Sequence, residues 1–322
     1  MIGIYHVHEG IEEERLLYTK HAAKCMALGF HSDHVAIGHS NGKMAIYDIN
    51  NMSKSIFSTK AHDDNGIAAI HGYGNSSSSS SSSNVGSPLI VTGGIDGVVR
   101  LWDPRTRQFV ISLTPEHANK RACSSVYIDN PLADAEQCII AGYGTGDFVL
   151  YDIRARRTRL TTYLDKGITD FTLLSYKNGP KKLCATSLLA SFDIIDLQET
   201  IESNGSIVSF STECRAKQHE RLPCPDLPSS INTCVSHLPT QPHMFVVGKG
   251  NGLYTLMSYR DYNINEYGAI IHLTKRFGSC STVASKRVGC GPVMNIDWYQ
   301  QQPTIFATCT ESMLLVLEIA GV

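Results

Sequence analysis

Four residues carry the side chains of a hydrolytic relay. Thr92 supplies a hydroxyl, His62 an imidazole and Asp96 a carboxylate, with Trp102 six residues beyond the aspartate. In catalysis the imidazole would take the hydroxyl proton while the carboxylate oriented the ring. As structure, the same chain of groups ends on the indole. A buried N–H needs an acceptor, and hydroxyl and imidazole pass the bond on to the carboxylate. Thr92, Asp96 and Trp102 flank one Asp96-Gly97 turn at hairpin spacing, and His62 precedes the first strand of the same unit. That placement favours a structural tetrad. His117 and His219 hold similar positions without a full partner set.

Other chemistry-bearing patterns are weaker. Gly142-Tyr-Gly144-Thr-Gly146 lacks the Lys-Ser/Thr end of a phosphate-cradling loop. No His-Glu-x-x-His or Gly-x-Ser-x-Gly occurs. None of the ten cysteines forms a Cys-x-x-Cys pair. Cys214, Cys224 and Cys234 stand ten apart, as do Cys280 and Cys290, which is not a metal-ligand spacing. The expectation is reduced thiols, no metal, no cofactor and no catalytic residue. Arg154-Ala-Arg156-Arg157-Thr-Arg159 is the single basic cluster, on a chain of net charge −2. It reads as solvated surface, not as a nucleic-acid site.

What positions these residues is a repeat. Val35 to Asp48, Leu89 to Asp103, Ile139 to Asp152, Leu183 to Asp196, Met244 to Met257 and Ile305 to Glu318 are six copies of two strands around a tight turn. Asn41-Gly42, Asp96-Gly97 and Asn251-Gly252 give the turn its positive φ. The anchors Tyr47, Trp102, Tyr151, Ile195, Met257 and Leu317 are 55, 49, 44, 62 and 60 residues apart. Strand-like runs between the copies, such as Gln108 to Leu113 and Cys123 to Ile128, complete four strands per period. The expected fold is all-β, a WD40 β-propeller with seven blades.

Residues 1–322 then form one domain. Residues 1–23 make a partial first blade, incomplete at the N-terminus and lacking its inner strands, and 24–322 make six further blades. The last copy stops after a third strand, so the segment that usually closes such a ring is expected to be missing. Residues 74–87, with serine from Ser76 to Ser83, read as a disordered loop. Residues 201–230, holding Pro223, Pro225 and Pro228, read as a long inter-blade loop. No apolar run reaches membrane-helix length, and the first residues lack a signal-peptide layout.

The ordered set of motifs allows a family comparison. Ala61-His62, Ile90-Val-Thr-Gly93, Asp96-Gly97, Trp102-Asp-Pro-Arg105, Asn119-Lys-Arg121-x-Cys123, Ala141-Gly-Tyr143, Gly146-Asp147, Lys166-Gly-Ile168 and Asn295-Ile-Asp-Trp298 are among the matching pieces. The chain resembles the Monad-type WD40-repeat family, dynein axonemal assembly factors that act as co-chaperone adaptors. The resemblance implies a non-catalytic cytoplasmic scaffold, monomeric within a larger complex. It implies RuvB-like AAA+ ATPases, TPR and prefoldin-like co-chaperones and axonemal dynein heavy chains as partners, with neither nucleic acid nor membrane. It supplies no residue-level binding motif. From the architecture, the turns between second and third strands nominate His39, Ile95, Tyr143, Leu188, Lys249 and Thr310 as a protein-binding rim, with Tyr143 foremost. An alternative function is a cullin-RING substrate receptor, in which Trp102, Asp103 and Arg105 form an adaptor box.

Overall fold

The structure is a computed structural model. It describes residues 2–7, 11–17, 19–28, 30–63, 65–74, 88–114, 122–129, 137–164, 167–174, 182–187, 191–202, 205–217, 232–261, 278–287, 292–298, 304–309 and 314–319. Leu188, Thr310, His117, His219 and the serine run lie outside the described residues.

Four of the repeats close their turns with the same hydrogen bond. In the second copy Gly97 N–H donates to the Gly94 carbonyl at 3.1 Å, and in the third Gly146 N–H donates to Tyr143 at 2.9 Å. Both glycines have positive φ, 80° and 102°, a conformation that costs an L side chain but not glycine. The same donor and acceptor recur from Gly42 to His39 and from Gly252 to Lys249.

The strands are β1 (Ile2–Val7), β2 (Ile11–Leu17), β3 (Ala23–Ala27), β4 (His34–His39), β5 (Lys43–Asp48), β6 (Asn51–Lys60), β7 (Ile67–Tyr73), β8 (Leu89–Gly94), β9 (Val99–Asp103), β10 (Gln108–Leu113), β11 (Cys123–Asp129), β12 (Cys138–Tyr143) and β13 (Asp147–Asp152). They continue as β14 (Arg157–Tyr163), β15 (Ile168–Leu174), β16 (Lys182–Ser187), β17 (Ser191–Glu202), β18 (Gly205–Lys217), β19 (Asn232–Leu238), β20 (Gln241–Lys249), β21 (Leu253–Asp261), β22 (Gly278–Arg287), β23 (Asn295–Trp298), β24 (Ile305–Cys309) and β25 (Leu314–Glu318). Among the described residues they pair into a two-stranded sheet (β1-β2), five four-stranded sheets (β3 to β6, β7 to β10, β11 to β14, β15 to β18, β19 to β22) and a three-stranded sheet (β23 to β25). The strand pairings are antiparallel, and no described residue is helical.

The anchors keep one register. Tyr47 pairs with Val35, Trp102 with Ile90, Tyr151 with Ile139, Ile195 with Leu183, Met257 with Phe245 and Leu317 with Phe306. Each anchor therefore opposes the same position of the preceding strand. The fixed phase of the turns sets that register.

Within residues 201–230, expected as a loop, the described residues are strand. Residues 205–217 are β18, which pairs with β17 along its length, from Glu202 with Gly205 to Ser191 with Lys217. Ile207, Val208 and Phe210 supply β-forming side chains there, and the prolines fall only beyond the strand.

The chain comprises two compact units. The first is Met1–Asp129 with Gln137–Thr161, the second Asn130–Glu136 with Thr162–Val322. In the first unit, Val91, Leu101 and Ile111 of one sheet pack with Val126, Ile139 and Tyr143 of the next. Ile90 and Trp102 face the other way, onto Phe30, Met44 and Ile67. This alternation uses both faces of the β7–β10 sheet. In the second unit Phe245 and Val247 pack with Leu174 and Ile194, while Val246 and Leu256 pack with Ile296 and Phe306. Burying an Ile or Phe this way contributes about 2 kcal/mol each.

Cys25, Cys123, Cys138, Cys184 and Cys234 are not disulfide-bonded, and all but Cys25 are buried. Burial pushes the Cys25 thiol up to about 12 and Cys123 higher still. These thiols are inert packing groups.

Candidate functional site

His62 sits between β6 and β7, and its position is set by the preceding sheet. Its backbone N–H donates to the Gly42 carbonyl at 2.9 Å, and the Ala61 N–H does so at 2.8 Å. A Cβ on Gly42 would overlap the carbonyls of His62 and Asp63, so only glycine permits this approach. Thr92 lies on β8, Asp96 in the β8–β9 turn and Trp102 on β9.

The structure brings the four side chains together. Trp102 Nε1–H donates to Thr92 Oγ1 at 3.0 Å. Thr92 Oγ1 and His62 Nε2 are 2.8 Å apart, and His62 Nδ1 is 3.0 Å from Asp96 Oδ1. Every group is satisfied when Nδ1 carries the proton: the indole donates to the hydroxyl, the hydroxyl to Nε2 and Nδ1–H to the carboxylate. Asp96 also accepts the Val98 N–H at 3.0 Å. Burial pushes the His62 pKa below its ordinary value, against the upward pull of Asp96. Burial opposes ionisation of Asp96, but the Val98 N–H and His62 hold its pKa below the usual carboxylate range. The hydroxyl that would be a nucleophile is 0% exposed and capped by the indole. This relay is therefore a fastening within the sheet.

Arg100 is a member that the sequence reading did not single out. Its Nη1 donates to the Ala61 carbonyl at 2.7 Å and lies 3.6 Å from Asp96. Its signal was present, since Arg100 lies two residues before Trp102 on the same strand and so shares its face. A second unrecognised fastening lies in the other unit. Asp170 Oδ2 accepts the Val235 N–H at 3.0 Å, linking β15 to β19.

The expected rim needs correction. His39, Tyr143 and Lys249 are buried, and Tyr143 is 0% exposed. Of the four rim residues described, Ile95 alone is exposed, at 38%. The strand pairings give the reason. Ala23 pairs with His39, Ile67 with Gly94, Cys123 with Tyr143 and Asn232 with Lys249. His39, Tyr143 and Lys249 are thus the counterparts of Gly94, the last residue of the second strand. Ile95 is one residue further on, in the turn. A shift of one residue exchanges the inner and outer faces of a strand.

In the adaptor box Trp102 is buried by the tetrad. Arg105 donates from Nε and Nη2 to the two oxygens of Asp103, at 3.0 and 2.7 Å. Asp103 is held below its ordinary pKa first by that bond. The box is closed on itself as a turn.

The repeated four-stranded sheets and the tetrad define a protein of the WD40 propeller class. Solved WD40 structures share the fold. The RRP9 WD40 repeats superpose with a TM-score of 0.58 at 13% identity, covering 89% of this chain and 72% of that one. U3-55K gives 0.59 at 12% identity, covering 89% and 73%. No family model matches the chain. Among curated relatives, the chain is similar to Dynein axonemal assembly factor 10 of Chlamydomonas reinhardtii, with 27% identity over 301 residues, covering 89% of this chain and 77% of that protein. The human protein of that name is 27% identical over 314 residues, covering 92% and 80%. That of Danio rerio is 28% identical over 307 residues, covering 92% and 80%.

Proposed function

We propose that the chain is a non-catalytic scaffold in the assembly of axonemal dyneins. The similarity to Dynein axonemal assembly factor 10 over 89% of the chain carries this reading. The buried tetrad agrees with it, because its side chains are spent on fastening strands. A rigid array of sheets presents surface for protein contact and asks for no cofactor. The finer reading follows the resemblance. The protein acts in the cytoplasm as a monomer within a co-chaperone complex of RuvB-like ATPases with TPR and prefoldin-like proteins, and its clients are dynein heavy chains. Nothing in the geometry favours the ligase-receptor alternative, since Asp103 and Arg105 are engaged with each other.

Deleting the gene in a cell that builds motile cilia tests the proposal. The expected result is axonemes depleted of dynein heavy chains, with chains retained or degraded in the cell body. Normal dynein content and beating in the deletion would overturn it. Affinity capture of the full chain from the same cells tests the finer reading, which fails if neither RuvB-like ATPases nor dynein heavy chains are recovered.

A further inference from the structure

Two turns in the first unit repeat an unusual feature. Arg107, between β9 and β10, has φ 59°, and Arg156, between β13 and β14, has φ 51°. Counting from Asp103 and from Asp152, each is the fourth residue on. They are the only non-glycine residues with positive φ among the described residues. Glycine adopts this conformation without penalty, yet both turns hold an arginine there. A strained residue kept at a surface turn points to a use for its side chain.

The two turns leave the unit on the same side. The ring of His71 on β7 lies 4.0 Å from that of Tyr127 on β11, and Ile128 N–H reaches His71 Nδ1 at 3.4 Å. At the other end of these strands, Gly93 on β8 abuts Cys123 and Val126 of β11. The strands β7 and β11 therefore run side by side in the same sense. Tyr73 pairs with Leu89 at the end of β7 and Asp129 with Cys138 at the end of β11. Each turn follows from that end, and Ile153 of the second turn packs on the core that holds Leu101 and Ile111 of the first sheet.

The charge there is strongly one-sided. Residues 103–108 and 152–159 hold six arginines and two aspartates, on a chain whose net charge is −2. The aspartates are engaged, Asp103 by Arg105 at 2.7 Å and Asp152 by Arg159 at 2.9 Å. Arg107, Arg154, Arg156 and Arg157 are exposed. Beside them, on the edge strand β10, Phe109 and Val110 are 55% and 47% exposed.

We infer that these two turns and the start of β10 form a docking surface for an acidic segment of a partner protein that carries bulky apolar residues. Guanidinium forks match carboxylates in bidentate geometry. Phe109 and Val110 offer the apolar contact that a purely electrostatic patch lacks. The near-neutral chain gives little long-range attraction to a polyanion, which disfavours nucleic acid as the occupant. The inference stands on this geometry and is independent of the dynein-assembly reading.

The test uses the full chain and fluorescence anisotropy. The probe is a peptide of about twelve residues in which Glu and Asp alternate with Leu and Phe. Binding should weaken as salt rises from roughly 50 to 300 mM. The double variant Arg107→Gly/Arg156→Gly should bind about 10-fold more weakly while its melting temperature stays level or rises, because glycine relieves both turns. Arg154→Glu/Arg157→Glu, at positions without the strained backbone, should lose binding at least as much, and Phe109→Ser should lose a few-fold. Equal affinity of wild type and both arginine variants overturns the proposal. So does binding of poly-dT or of phosphatidylserine vesicles without binding of the acidic probe.

Discussion

The β7–β10 and β11–β14 sheets are neighbours built on one plan, and they fill the same place in opposite ways. In the first, Gly94 leaves room for a polar relay. A Cβ on Gly94 would overlap the Asp96 carboxylate and the His62 imidazole. In the second, the counterpart of Gly94 is Tyr143, that of Thr92 is Ala141, that of Asp96 is Thr145 and that of Trp102 is Tyr151. The Tyr143 ring is fully buried against Cys123, Val126 and Ile139. Its hydroxyl makes no bond to nitrogen or oxygen among the described residues and has the Cys123 thiol beside it. One sheet is fastened by hydrogen bonds with direction, the other by volume. The repeat thus fixes a space to be filled and leaves its chemistry open.

The largest expected effect strikes the polar side. Gly94→Ala should expel His62 or Asp96 from the relay and cost about 3 kcal/mol in urea unfolding. In the other sheet Gly144→Ala meets open space, and its midpoint should stay within about 0.5 kcal/mol of wild type. If Gly94→Ala costs no more than Gly144→Ala, the close packing of the relay around Gly94 is wrong.

Next come two substitutions that each delete one hydroxyl. Thr92→Val keeps the volume but strips the indole N–H and His62 Nε2 of their partner, at a cost of about 2–3 kcal/mol. Tyr143→Phe removes a hydroxyl that bonds to no nitrogen or oxygen, and stability should hold or rise by up to about 1 kcal/mol. Thermal melts of the pair should move in opposite directions or differ by the full cost of Thr92→Val.

The pH dependence is a smaller effect and belongs to the polar sheet alone. His62 is held neutral by burial, so its folded pKa is below its unfolded one. Its contribution is complete above the unfolded value of about 6.5 and is lost as pH falls below it, because the unfolded chain binds a proton that the folded chain refuses. Wild type should lose more stability than His62→Gln as pH falls from about 6.5 to 5.5. Parallel curves for the two proteins would show that folding leaves the His62 pKa unchanged and would overturn this reading. The smallest effect is the strain at Arg107 and Arg156. Relief by glycine should add about 0.5–1 kcal/mol at each turn.

Much of this was legible in the residues. Asn41-Gly42, Asp96-Gly97 and Asn251-Gly252 set the phase of three hairpins, and the repeat carries that register to the other anchors between Tyr47 and Leu317. The tetrad was legible because Thr92, Asp96 and Trp102 are tied to a single turn. Arg100 was within reach by strand alternation from Trp102. The rim was misplaced because the copies were aligned on their turns, and Gly93-Gly94-Ile95-Asp96 and Gly142-Tyr143-Gly144-Thr145 look interchangeable there. Strand β18 is hidden in the sequence because Pro223, Pro225 and Pro228, which signal a loop, follow close behind it.

The amino-acid order by itself determined the hairpins and their phase, and it tied Thr92, Asp96 and Trp102 to one turn, since these depend on contacts a few residues apart. Only the tertiary structure decided which face of each strand is inward and what fills it. A strand has two faces, one residue separates them, and the choice rests on the neighbouring sheet. That is why Tyr143 and Lys249 are buried while Ile95, one residue past the strand, is exposed.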